Sequence, residues 1–269
     1  MVEIFDNIRK TYNFASPSGE LYEHIEFYGE TCVDKTSLFL RGQHYTIKMF
    51  PSWTPTIYLN LGAPYRMIVD DRLHLIEKDR DVLILRDSVV ERLNQPDDHI
   101  FIVKFNPGGL EAVLGISQLA LLNKVVDLRS ILPHCLISEL RSAESFSCRC
   151  RLIDAYLLNS YRPKYQQDHY FKLVQDVIDV YVDSGMQLNN AALSDKFFTT
   201  SKTVNRYFRK VIGITPKKYF STLRARTALT SYMTQGSHFN PYAFGYFDHS
   251  HFYRDVAHFT GQSIRRHDL

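Results

Sequence analysis

Lys202, Asn205, Arg206 and Arg209 cluster in one short stretch, with Lys210 beside them. A guanidinium or a carboxamide presents two hydrogen-bonding atoms in one plane. Arginine can therefore pair with guanine O6 and N7, and asparagine with adenine N6 and N7. A second set, His249, Ser250, Tyr253 and Arg254, follows further along the chain. Both sets suit hydrogen bonding to base edges. Arg209, Lys210, Lys217 and Lys218 suit contact with phosphates, or simply a solvated surface.

Other chemistries find less support. Asp248-His249-Ser250-His251 invites a metal ion, but positions i and i+2 of a helix face different ways, so the two histidines would not share one. His251 reads as packed or hydrogen-bonded, His249 as outward. Cys148 and Cys150 form a C-x-C pair with no second pair to complete a zinc site. His24, His44, His74, His99 and His134 are isolated from one another. No nucleophile elbow, phosphate loop or dinucleotide fingerprint occurs. The expectation is no catalytic residue, no metal and no cofactor. The rings of Phe244, Tyr246, Phe247 and Phe259 could stack on bases, but packing in a helical core explains them better. Trp53, Tyr58, Tyr65 and Arg66 could line a pocket, but core and rim positions are again the simpler account.

The first set needs a helix to present it. Asn189 or Asn190 starts a short helix that runs to about Phe197, and Thr199-Thr200 interrupts it. Thr200 is a good N-cap for a new helix, Ser201–Ile212, ended by Gly213. Val204, Tyr207, Phe208 and Val211 form its apolar stripe, with Lys202, Asn205, Arg206, Arg209 and Lys210 opposite. A short helix, a tight turn and a cationic helix make a helix-turn-helix, whose second helix enters the major groove.

The pattern recurs. A shift of 48 residues puts Val204 on Phe252, Arg206 on Arg254, Phe208 on Val256, Gly213 on Gly261 and Thr215 on Ser263. Thr200 falls on Asp248, another good cap. A second such helix is expected at about His249–Thr260, with Phe252, Val256 and Phe259 inward. Repetition of one supersecondary unit is hard to obtain by chance. Between the copies, Pro216–Gln235 reads as a connecting helix that Gly236 ends. Two recognition helices in successive major grooves must lie about 34 Å apart, one turn of DNA.

Upstream, a helix at Arg151–Tyr161 is stopped by Pro163, and Ser142–Cys150 is a polar boundary. Tyr165–Asp168 looks like a hinge, and Asp168 can cap a helix with Phe171, Val174, Ile178, Tyr181 and Val182 on one face, ending at Gly185. The first half reads as β. Candidate strands are Leu21–Phe27, Tyr45–Met49, Thr56–Leu61, Arg66–Val69, Val82–Leu85 and Ile100–Phe105, parted by turn residues, which suggests a small sandwich or barrel. A helix opens near Leu110–Leu114 after Asn106-Pro107-Gly108-Gly109.

Charge divides in the same way. Residues 1–168 hold 19 Lys/Arg against 22 Asp/Glu, a net of −3, while residues 169–269 hold 13 Lys/Arg against 7 Asp, a net of +6. A basic half joined to a slightly acidic one suggests that the second half meets a polyanion. The length of 269 residues favours two domains, and 45% apolar with 23% charged residues describes a globular protein. No apolar run approaches the roughly 20 residues needed to cross a bilayer. The acidic start Met1–Asp6 lacks a signal-peptide core, and the four cysteines are too scattered for a disulfide scaffold, so a cytoplasmic, nucleoid-associated location with reduced thiols is expected.

The segments Arg206–Pro216 and Gly245–Arg254, with Leu223-Arg224 and Ala228-Leu229 between them, resemble the DNA-binding domain of AraC/XylS-family transcription regulators. The similarity covers roughly 100 residues. It implies that Lys202, Asn205 and Arg206 reach base edges from the first recognition helix and that His249, Ser250, Tyr253 and Arg254 act comparably in the second. Three positions depart from the family pattern. Phe198 stands where a glycine is usual, Asn240-Pro241 replaces Ile-Ala in the lead helix of the second motif, and Ile264 replaces a final proline. Ile57–Tyr65 and Val103–Gly109 also look like the N-terminal domain of one group of these regulators. Such domains commonly sense a small molecule or mediate dimerisation.

The expectation is an α+β multidomain chain. Residues 1–140 form a β-rich sandwich or barrel for sensing or dimerisation, 141–168 a helical linker, and 169–269 an all-α double helix-turn-helix domain. Its partners are double-stranded DNA and RNA polymerase, with a small-molecule effector and a second copy of the chain as further candidates and no membrane. The rival reading is a non-catalytic protein-interaction adaptor with a degenerate helix-turn-helix domain, favoured if the second motif is collapsed. A metal-dependent β-barrel enzyme is a more distant rival.

Overall fold

The computed structural model describes residues 11–40, 45–95, 97–161 and 169–261. They fall into two compact units, one within Phe5–Met49 and Trp53–Pro163, the other within Lys164–Leu269 together with Phe50–Ser52. No described helix is long and apolar enough to cross a membrane.

The first unit is antiparallel β. Its larger sheet joins β1 (Tyr12–Ala15), β2 (Ile25–Thr31), β9 (Ile100–Phe105), β4 (Pro55–Asn60), β7 (Val82–Leu85) and β10 (Val125–Asp127), in that order. The smaller sheet orders β3 (Tyr45–Met49), β8 (Val90–Asn94), β5 (Tyr65–Val69) and β6 (Arg72–Ile76). Side chains alternate across a strand. Tyr58 of β4 therefore joins Met49, Met67, Val90 and Ile102 in a core shared by the two sheets. Its neighbours Ile57 and Leu59 face the other way, into a second core with Leu136, Ile153 and Leu157. Helices α1 (Val33–Leu40) and α2 (Gly109–Leu114) precede α3 (His134–Ser142) and α4 (Phe146–Ser160), which supply these three residues. Burial on both faces explains why β4, β7 and β9 are nearly continuous apolar runs.

Ion pairs on buried carboxylates tie the helices to the sheet. Arg149 of α4 gives Glu30 of β2 two bonds, Nε to Oε2 at 2.6 Å and a terminal nitrogen to Oε1 at 2.8 Å. His99 Nε2 lies 2.8 Å from the same Oε1. Burial favours the neutral acid, but the hydrogen bonds from His99 and Arg149 outweigh it and hold Glu30 below its ordinary value. Arg141 of α3 grips both oxygens of Asp81 at 2.7 and 2.8 Å.

Several expectations shift. The strand expected at Leu21–Phe27 lies at Ile25–Thr31, because Gly19–Leu21 tightens into a 3-10 turn. The Ser18 amide that opens this turn donates to Asp154 Oδ1 at 3.0 Å. The helix expected from Arg151 begins at Phe146, where Ser145 caps it by accepting from the Cys148 amide. The segment 141–168, expected as a linker, is packed against the sheet in its described part. Trp53, Tyr58 and Tyr65 are buried core and Arg66 is exposed. The four cysteines are free thiols. The hinge, Asp168, His44, Ser263 and Ile264 lie outside the described residues.

Candidate nucleic-acid interface

The second unit is all helical. Helix α5 (His169–Asp183) buries Val174, Val177, Ile178 and Tyr181, and Gly185 follows it with a φ of 68°. Val182, expected on the same face, is exposed. Helix α6 (Asn190–Lys196) starts at Asn189, whose side chain accepts from the Ala192 amide. Helix α7 (Ser201–Val211) starts at Thr200, whose hydroxyl accepts from the Thr203 amide at 3.1 Å. Helix α8 runs over Pro216–Gln235 and α9 over His249–Thr260, both with the expected bounds. Asp248 caps α9, Oδ1 accepting from the His251 amide at 2.6 Å. The two caps sit at equivalent places of the 48-residue repeat. Each satisfies an exposed amide of a first helical turn.

Helix α8 is the common support. Its 20 residues span about 30 Å at 1.5 Å each. Near its start, Phe220 packs on Phe208 of α7 with ring centroids 5.3 Å apart and stacks on Tyr181 of α5 at 4.1 Å. Near its end, Tyr232 packs on Phe252 of α9 at 5.4 Å. The inward stripe is Val204, Phe208 and Val211 in α7, and Phe252, Val256 and Thr260 in α9. Tyr207 and Phe259, expected inward, are half-buried.

The candidate base-reading residues lie on the opposite faces. Lys202, Arg206 and Arg209 are exposed and Asn205 is half-buried. The Arg206 guanidinium lies 5.0 Å from the Tyr207 ring and donates to its hydroxyl at 3.4 Å. That hydroxyl is 2.6 Å from His169 Nε2 of α5. The His169–Tyr207 pair thus steadies Arg206. It was not foreseen, because it joins residues 38 apart across two helices. Lys210 lies 3.5 Å over the ring of Tyr170, so it leans onto α5. On α9, His249, Ser250 and Arg254 are exposed, and Tyr253 is half-buried against Tyr232. His251 is half-buried, its ring 5.1 Å from that of Tyr246, as a packing role requires.

The lead element of the second motif is a single 3-10 turn, Pro241–Phe244, rather than a helix. Pro241 lacks an amide and is accommodated only in a first turn, and the Asn240 side chain caps that turn by accepting from Tyr242. Gly245 ends it at a φ of 71°, where an added Cβ would sit 3.0 Å from the Met186 carbonyl oxygen. Of the expected core aromatics, Tyr246 is buried, and Phe244 and Phe259 are half-buried. Phe247 is the correction, being 83% exposed. Phe198, in the turn of the first motif, has a φ of 49° and is 99% exposed. That backbone favours glycine and costs a bulky side chain about 1–3 kcal/mol.

Asp255 of α9 faces inward. Its Oδ2 accepts from Arg224 of α8 at 3.1 Å and from the Tyr246 hydroxyl at 2.9 Å. Burial and the adjacent carboxylate push the Tyr246 hydroxyl up, so it remains a donor. An open groove of about 670 Å³ beside this group is lined by Asn190, Lys217, Ser221, Arg224, Tyr242 and Phe247 among others, with no carboxylate among the described residues of its wall.

No protein-family model matches the chain, and no curated protein matches it. Among solved structures, it is similar to ToxT from Vibrio cholerae, with a TM-score of 0.46 and 11% identity over 82% of this chain and 95% of that one. It is also similar to the AraC-like transcriptional activator CuxR, with a TM-score of 0.32 and 9% identity over 75% of this chain and 81% of that one. A cupin domain of an XRE-family transcriptional regulator from Enterobacter cloacae overlaps 35% of this chain and 93% of its own, at a TM-score of 0.26 and 12% identity. All three scores mark loose overlap.

Proposed function

We propose that the chain is a sequence-specific, double-stranded-DNA-binding transcription regulator without a catalytic step. Helices α7 and α9 enter successive major grooves, with Lys202, Asn205, Arg206 and Arg209 on the first and His249, Ser250, Tyr253 and Arg254 on the second. One observation carries this reading. Two equivalently capped helices, packed on one continuous helix, each bury an apolar face and turn cations outward. This agrees with the AraC/XylS resemblance of the same segments. RNA polymerase is the expected downstream partner. The β unit acts as sensor or dimerisation module, and an effector controls it by binding the active and inactive states with different affinity.

The test is duplex binding by the full chain across a salt series, with selection of binding sites from random duplexes. The expected result is an enriched motif and a log K that falls by about 0.9 per phosphate contact per log unit of salt. A folded chain with no salt-sensitive duplex binding at low salt overturns the reading. The reduced lead turn of the second motif is the observation that favours the adaptor reading, and that same result would support it.

A further inference from the structure

Phe198 and Phe247 are the two most exposed large apolar side chains among the described residues, at 99% and 83%. Both lie in the turn that precedes a candidate recognition helix. Phe198 is two residues before the cap of α7, and Phe247 is one before the cap of α9. A phenylalanine ring has no polar atom to satisfy in water, unlike the exposed Tyr22 and Tyr242. The fold does not call for Phe198 either, since its φ of 49° suits glycine. Each motif carries one such ring just before its recognition helix, offset by one position in the 48-residue repeat, which puts Phe198 on the buried Tyr246. The first turn beside Phe198 bears the exposed Lys202, and His249 and Ser250 follow Phe247. A tip that enters the major groove meets one apolar group there, the C5-methyl of thymine.

We propose that Phe198 and Phe247 are specificity residues, each seating its ring against the methyl group of a thymine at the edge of its half-site. This rests on the DNA-binding reading above. The test uses the full chain and the duplex that it selects. Replacing the edge thymine with 2′-deoxyuridine removes the methyl and leaves base pairing intact, and is expected to weaken binding about four-fold per methyl. Phe198→Gly relieves the backbone, so it is expected to hold or raise the melting temperature and to keep the positions read by Arg206. It loses only the thymine preference and the sensitivity to deoxyuridine at its own half-site, as Phe247→Ser does at the other. If the wild-type chain binds DNA but both variants select the same motif with unchanged affinity, the rings do not contact thymine. Loss of transcription activation with DNA binding intact would also overturn the proposal, in favour of a protein contact. If the wild-type chain selects no duplex at all, the DNA-binding reading itself fails, and this proposal with it.

Discussion

Particular arginines of the two units are held in opposite ways, although exposed cations such as Arg66 and Arg129 also occur in the β unit. In the β unit, Arg149 and Arg141 are closed onto Glu30 and Asp81 inside the fold. In the helical unit, Lys202, Arg206, Arg209 and Arg254 are exposed, with no carboxylate partner among the described residues. Arg224, paired with Asp255, is a structural cation within the helical unit. Residue type is therefore a poor guide to role. An arginine held by a buried carboxylate supports the fold, whereas one left at a helix tip keeps its planar donors for something else.

That contrast can be broken in order of size. Glu30→Ala strands Arg149 in the β unit and should cost about 3–5 kcal/mol in denaturant unfolding, with duplex affinity of the folded protein unchanged. A loss below about 1 kcal/mol would mean that the pair is not a support. Arg206→Ala should do the reverse. Stability should stay within about 0.5 kcal/mol, while discrimination at one or two base pairs falls by about 1–3 kcal/mol. An unchanged selected motif contradicts it.

The third prediction concerns pH. Glu30 titrates below its ordinary value of 4.5. Its contribution is therefore complete above that value and is lost as the pH falls through the depressed one. The stability gap between wild type and Glu30→Gln should close on acidification, and a gap that widens would reverse the assignment. The smallest effect is expected from Lys217→Ala, in the groove whose described wall holds no carboxylate. It should weaken all duplexes alike and flatten the salt slope by about 0.9, and a change confined to one sequence would make Lys217 a base reader.

The sequence displayed the helical unit better than the β unit. Caps such as Thr200, Asp248 and Gly236 act within a turn of their own position, and the apolar spacing of α7 and α9 is local, so the bounds of α8 and α9 agree with expectation. Strands β1, β6, β8 and β10 went unread. Val90–Asn94 carries charges and weak alternation and becomes β by pairing with β3 and β5, well back in the chain, whereas Arg72–Ile76 is the return strand of a tight hairpin with β5 whose turn, Asp70-Asp71, lacks the usual glycine or asparagine. The 3-10 turn at Gly19 depends on Asp154, 136 residues away. Within the candidate site, the cations and amides were legible by type. The support that His169 gives Tyr207, and the outward rings of Phe198 and Phe247, needed the packed structure.

Asp255 of α9 ties the connecting helix, through Arg224, and the turn before α9, through Tyr246, to a single carboxylate. Helix α9 cannot swivel about its own axis without breaking both of those bonds, so its pose is settled as the chain folds. Less orientational freedom then remains to be lost when a partner docks, and the short lead turn is spared the task of bracing the helix alone.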